Sequence, residues 1–220
     1  MGKTAIILGA TGLTGSILLE KLQNDERYET IKLFSRKKIE GLPSKVIQYV
    51  GDLFDLQQFK NDFTGDNVFC CIGTTTKKTP NKELYKNIDY GIPVTAAKLS
   101  KENTINTFLV VSALGANEKS SLFYNKTKGE MERDVLQQNI KNTYILQPSY
   151  ITGDRDENRP MEKIFDVIFK IIQPLLIGGL KKYRSIKAET IALAMINLAN
   201  SNFTNNKVIT SDKIKEFSKK

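Results

Sequence analysis

Tyr124 and Lys128 stand four residues apart in Tyr124-Asn-Lys-Thr-Lys128, a segment whose surroundings predict a helix, so both side chains share one helical face. A phenol with a pKa of about 10 is a poor acid–base group near neutrality until a cation favours its ionised form. Lys128 is placed to supply that charge, whereas Lys126 points away. Ser112 ends the apolar run Thr107-Phe-Leu-Val-Val, a predicted fifth strand, and can hydrogen-bond a reacting oxygen. Taken alone, a Tyr–Lys pair at this spacing is commonly a surface coincidence, so its meaning depends on the elements that carry it. The chain has no histidine, which excludes Ser-His-Asp and Cys-His chemistry. Cys70 and Cys71 are neighbours in a strand-like run, point to opposite faces and read as reduced core residues; no metal site is expected.

The positioning elements begin at Thr4-Ala-Ile-Ile-Leu8, an apolar run without alternation, as a strand covered on both faces requires. Gly9, Gly12 and Gly15 follow, with Thr11, Leu13 and Thr14 between them. Glycines so spaced permit a tight turn, close backbone approach to a pyrophosphate and close helix–strand packing, with the positive helix end facing the phosphates. The bland alternative is an ordinary strand–turn–helix junction. Ile17, Leu18, Leu19 and Leu22 give the next helix a broad apolar face.

Thr30-Ile-Lys-Leu-Phe-Ser35 reads as a second strand ending in Arg36-Lys-Lys38. An acid at this strand end would take the 2′-hydroxyl of NAD, and an arginine the 2′-phosphate of NADP. Ser35 and Arg36 therefore favour NADP over NAD, against the alternative of a solvated turn. Val46 to Val50 is a third strand, followed by Asp52 and Leu53; Asp52 is suited either to the adenine amino group or to capping a helix that starts near Leu56. Asn67 to Ile72 is a fourth strand opening into Gly73, Thr74, Thr75 and Thr76, which would line the cofactor or form a plain polar turn. Residues 82–100 read as a helical stretch with a kink or break at Pro93. Asn142 to Leu146 is a sixth strand, leading to Pro148 and Ser149.

Gly9-Ala-Thr-Gly-Leu-Thr-Gly15, the set Ser112, Tyr124 and Lys128, and Gln147-Pro-Ser149 together resemble the short-chain dehydrogenase/reductase superfamily in its atypical or extended division. Cys71-Ile-Gly-Thr-Thr, the Lys128-Gly-Glu run and Gly153-Asp-Arg-Asp-Glu-Asn-Arg-Pro160 resemble more narrowly its Tat-interacting-protein oxidoreductase branch. The resemblance spans nearly the whole chain. It implies an α/β fold with a doubly wound, Rossmann-like parallel sheet and helices on both faces, binding NAD(P) at the Gly9–Gly15 loop. It also implies that Tyr124 is the general acid–base, Lys128 its electrostatic partner and ribose anchor, and Ser112 the group that orients the carbonyl. Pro148 and Ser149 would flank the nicotinamide. One departure is Gly73-Thr-Thr, where ordinary members carry an Asn-Ala-Gly type of turn. The leading expectation is NADP-dependent hydride transfer to or from a small carbonyl or alcohol. The alternatives are a dinucleotide-responsive sensor and, third, a nucleotide-sugar epimerase or dehydratase, for which the section after Pro148 is short.

That section reads as a charged loop, an apolar helical stretch from Met161 to Ile172 broken at Gly178 and Gly179, a helix over Ala188–Ala199, and an edge strand at Val208-Ile-Thr. Arg155 and Arg159 would grip an anionic substrate or form surface ion pairs. The expected organisation is one domain, residues 1–220, with residues 1–148 as cofactor-binding core and 149–220 as a small helical substrate-side section. The net charge of +9 comes from scattered lysines and arginines rather than one basic stripe, which suits a phosphate-bearing cofactor and makes nucleic acid an unfavoured partner. No run is long and apolar enough to span a membrane. The first strand begins almost at the N-terminus, which leads to an expectation of a cytoplasmic location. Gly129 within a helix marks close packing, against either this chain or a second subunit; oligomeric state stays open.

Overall fold

Ala5, Ile6, Ile7 and Leu8 are all fully buried, because β1 (Lys3–Leu8) lies inside a seven-stranded sheet and is covered on both faces. The computed structural model describes residues 2–153, 176–201 and 207–219. The sheet adds β2 (Tyr28–Ser35), β3 (Val46–Val50), β4 (Asn67–Cys70), β5 (Thr107–Val111), β6 (Asn142–Gln147) and β9 (Val208–Thr210). Its order is β3-β2-β1-β4-β5-β6-β9, and every pairing is parallel. The order reverses beside β1, which has β2 on one side and β4 on the other. In open parallel sheets that reversal leaves a crevice beyond the carboxyl ends of the strands.

Strand alternation divides the core. Ile6, Leu8, Val68 and Cys70 face one layer, packed with residues of α3 (Ile92–Glu102) and α4 (Phe123–Gln137) such as Ala96, Leu99, Met131 and Val135. Ala5, Ile7 and Phe69 face the other, against Leu18 and Leu22 of α1 (Leu13–Gln23), Ile191 and Met195 of α5 (Ala188–Ala199), and Ile214 of α6 (Ser211–Phe217). The doubly wound α/β architecture is therefore as anticipated. So is the treatment of the cysteines: both are free, and they belong to opposite layers.

Several boundaries differ from the sequence reading, each for a local reason. β2 begins at Tyr28, because its pairing with β1 already starts there, with Tyr28 opposite Lys3. β4 ends at Cys70, so Cys71 and Ile72 leave the sheet instead of prolonging it. In place of a helix near Leu56 there is a 3-10 turn over Leu53–Phe59, with Asp52 accepting from the Phe54 amide at 2.9 Å. The helical stretch expected at 82–100 is present and Pro93 does not break it, but its winding changes along the way. A short α2 (Lys82–Lys86) passes into a π turn over Asn87–Gly91 and then α3, where Pro93 occupies the first turn and needs no N–H partner. A two-stranded parallel pair, β7 (Ile151–Thr152) with β8 (Ile186–Lys187), was not foreseen, since two residues are too few to show periodicity. Gly178 opens a 3-10 turn, Gly178–Tyr183. Arg155, Arg159 and the anticipated helix at 161–172 lie outside the described residues.

Candidate active site

Gly9 follows β1 with φ of +86°, a left-handed conformation, and a Cβ there would lie 2.7 Å from the Cys71 carbonyl oxygen. Gly15 is more constrained, because its Cβ would fall 2.0 Å from the Gly9 carbonyl oxygen. The first turn of α1 is thereby packed directly on the loop that precedes it. Gly12 caps that helix without a side-chain hydrogen bond, and no acid occupies the first turn. An anion therefore meets neither a competing carboxylate nor a side chain already placed over the amides. These features fit a dinucleotide pyrophosphate, and the helix end opens on a cleft of about 500 Å³.

The cleft joins the loop entering α1, the loop after β4, Asp89 of the π turn, the end of β5, the first turns of α4 and Ile151. Of the residues singled out from sequence, Thr11, Gly12, Leu13 and Thr14 line it on one side and Gly73, Thr74 and Thr75 on another. Ser112, Tyr124 and Lys128 line it as well, so three groups dispersed in sequence converge. Gly9 and Gly15 shape the turn from behind.

The remaining candidates lie outside this lining. Ser35 is buried, and its hydroxyl donates to the Lys37 carbonyl at 2.8 Å. Arg36 is exposed, while nearby Glu40 pairs with Lys38 at 3.5 Å. Asp52 serves as the cap described above, and Leu53 is a core residue. The Pro148 carbonyl accepts from the Leu114 amide at 2.9 Å. Ser149 donates to the Arg184 carbonyl and lies 3.0 Å from the Ser211 hydroxyl, tying the end of β6 to α6.

Two acids support the cleft, Asp89 from within its lining and Glu132 through Ser112. Asp89, carried by the π turn and 1% exposed, lies 2.7 Å from the Lys128 ammonium, which is itself buried. Its other oxygen accepts from the Thr74 amide at 2.8 Å, so one carboxylate holds both the lysine and the loop after β4. Burial alone would push the Lys128 ammonium down, but Asp89, with Tyr124, carries it above the ordinary lysine value. Glu132 accepts from the Ser112 hydroxyl and from the Gln147 side-chain amide at 2.9 and 3.0 Å. Burial lifts its carboxyl above the ordinary range, against the pull of Ser112, Gln147 and Lys128.

Neither acid was singled out from sequence. Glu132 had a signal: Tyr124, Lys128 and Glu132 recur at intervals of four along one helical face. Asp89 had a weaker one, an acid set between Ile88 and Ile92. Tyr124 also departs from the simple expectation that Lys128 lowers its pKa. The residue is 40% exposed overall, yet crowding around the phenol raises its pKa, and Asp89 raises it further, against the downward pull of Lys128. Tyr124 thus keeps its proton through the neutral range.

Gly129 settles against its own chain. A Cβ there would lie 2.1 Å from the Glu118 amide nitrogen and 2.2 Å from the Asn117 carbonyl carbon, so its close packing needs no second subunit. Among the described residues no helix is long and apolar enough to cross a membrane.

Residues 9–163 match a family model described as NAD(P)H-binding. Protein FMP52, mitochondrial, of Debaryomyces hansenii is 32% identical over 205 residues, covering 91% of this chain and 89% of that protein. Protein HTATIP2 of Rattus norvegicus is 29% identical over 199 residues, covering 89% of this chain and 80% of that protein. Among solved structures, UDP-glucose 4-epimerase of Thermotoga maritima with UDP-glucose gives a TM-score of 0.69 at 15% identity, over 98% of this chain and 81% of that one. At that identity the likeness speaks for the fold alone. The expectation of a cytoplasmic location is overturned by the relatives, since the FMP52 proteins are named as mitochondrial. The early start of β1 had carried no information about destination.

Proposed function

The chain belongs to the NAD(P)H-binding family, and from that premise we propose that it is an NADP-dependent oxidoreductase acting on a small carbonyl or alcohol. One observation carries the reading: Tyr124, Lys128 and Ser112 converge on the cleft into which the Gly9–Gly15 turn and the N-terminus of α1 open. Gly12, Leu13 and Thr14 would hold the pyrophosphate, and Gly73, Thr74 and Thr75 the adjoining part of the cofactor. When bound, the nicotinamide supplies or accepts the hydride. Tyr124 gives the reacting oxygen its proton: it holds that proton through the neutral range, and the downward pull of Lys128 acts against the burial that raises its pKa. Lys128 stays cationic beside Asp89 and stabilises negative charge that develops on the phenol oxygen as the proton leaves. Holding substrate and dinucleotide together in one cleft contributes by turning a bimolecular encounter into a local one.

Arg36, exposed just beyond β2, is assigned to the 2′-phosphate of NADP, with Ser35 shaping the turn beneath it. Pro148 and Ser149 are assigned to the nicotinamide side, and Asp52 and Leu53 to the adenine side. The names of the fungal relatives support a mitochondrial setting, which fractionation of a tagged chain expressed in yeast would check. Paired fluorescence titrations with NADPH and NADH, repeated with Arg36→Ala, test the cofactor assignment. Tighter NADPH binding that is lost in the variant is the expected result; failure of both dinucleotides to bind would remove the basis of the proposal.

A further inference from the structure

A serine that orients a substrate carbonyl must donate its hydroxyl proton to it. Here the Ser112 proton is directed elsewhere, towards Glu132 Oε1. Gln147 Nε2 donates to both oxygens of the same carboxylate, at 2.9 and 3.0 Å, and an amide nitrogen has no lone pair with which to accept in return. Ser112 and Glu132 are 5% and 8% exposed, so water has little room to replace either partner. The ionised carboxylate in this arrangement can only accept. It therefore holds the Ser112 proton inward and leaves the serine lone pairs towards the cleft.

We propose that Glu132 is a positioning residue whose carboxyl group sets the direction of the Ser112 hydroxyl, and so decides whether Ser112 meets the reacting oxygen as donor or as acceptor. With Glu132 ionised, Ser112 accepts, which suits the hydroxyl of an alcohol. With Glu132 protonated, the acid proton occupies the line to Ser112 Oγ, Gln147 remains on the other oxygen, and the Ser112 proton turns to a substrate carbonyl. The inference rests on the oxidoreductase reading and adds to it a control over the favoured substrate form. The charged groups around Glu132 are few. Lys128 is one helical turn back on α4 and is itself paired with Asp89 of the π turn, while β5 and β6 present neutral Ser112 and Gln147. The raised carboxyl pKa places the change of state above the ordinary glutamic acid range.

Infrared titration of the full chain with labelled glutamate carboxyls tests this without any substrate. A protonated carboxyl band should persist above pH of about 4.3, the ordinary glutamic acid value, and be missing from Glu132→Gln. In Ser112→Ala the ionised form loses a donor, so the midpoint should rise. The protonated band should also move to higher wavenumber, because its O–H loses an acceptor. A band unchanged by Ser112→Ala would overturn the proposal. Should Glu132→Gln fail to fold, Glu132→Asp, whose shorter acid falls short of Ser112, supplies the same comparison. The activity arm uses NADPH-dependent reduction of 9,10-phenanthrenequinone. In Glu132→Gln the new amide accepts from Gln147 and donates to Ser112, as the protonated acid does, so the fall in reduction rate with Glu132 ionisation should vanish from the pH profile. Persistence of that limb would sink the inference. Unchanged turnover in Tyr124→Phe would instead strike the oxidoreductase reading, leaving the infrared result to stand by itself.

Discussion

Lys128 is buried with the Asp89 carboxylate 2.7 Å away, a contact that raises its pKa against the effect of burial. Asp89→Asn leaves the ammonium without its counter-charge, and breaking a buried pair in this way costs about 3–5 kcal/mol; urea unfolding should register a loss of that order. The sign with pH follows from the raised Lys128 value. The contribution is fully present below the ordinary lysine pKa of about 10.4 and is lost as pH climbs through the higher folded value. The Lys128 contribution to the parent should accordingly be flat from neutral to mildly alkaline pH, whereas Asp89→Asn, whose buried lysine has lost the group that raised it, should gain stability relative to the parent as pH rises towards the lysine range. Tyr124 makes a different prediction. Tyr124→Phe keeps the ring and removes the proton, so NADPH binding should remain within a few-fold while turnover falls by about 10²–10⁴. Equal turnover in the two proteins would remove Tyr124 from the chemistry. Both residues were found from their spacing, but Asp89 was not. Its effect on Lys128 crosses from one helical segment to another, and no interval in the sequence expresses that.

At the scale of elements, the site depends on two close approaches that only glycine permits. Gly15→Ala puts a methyl group against the Gly9 carbonyl, so the turn must open at the place proposed for the pyrophosphate. Dinucleotide affinity should drop at least tenfold in titration. Gly129→Ala presses α4 away from the backbone at Asn117 and Glu118. Overpacking of this kind typically costs about 1–3 kcal/mol, and the loss should appear in thermal unfolding even without cofactor. A Gly129→Ala protein as stable as the parent would mean that the 117–118 segment yields freely. The glycine motif was readable because its role is local to one strand and one helix. The π turn was not: no residue pattern in Asn87–Gly91 sets it apart from an ordinary helix, and it carries the Asp89 that pairs with Lys128.

Across the whole molecule, the cleft is assembled from segments between Thr11 and Ile151, so its ligand ties together strands from both sides of the sheet reversal. A dinucleotide that binds only this folded arrangement should stabilise it by mass action, by about 2.7 kcal/mol at a hundredfold excess over its dissociation constant. NADPH should therefore raise the thermal midpoint, and an unmoved midpoint at saturating NADPH would contradict binding to the native state. What the sequence determined alone was everything carried by short-range pattern. The unbroken apolar run of β1, the glycine interval after it, the succession of strands β1 to β6, and the shared face of Tyr124 and Lys128 all follow from backbone sterics and periodicity within a few residues. Tertiary structure decided what depends on distant neighbours. It gave Ser112 to Glu132 rather than to open solvent, gave Lys128 to Asp89, raised the Tyr124 pKa further, and tied Ser149 to Arg184 and Ser211. Hydrogen-bond direction and pKa respond to desolvation and to charges a few ångströms away, and those distances exist only once the chain has folded.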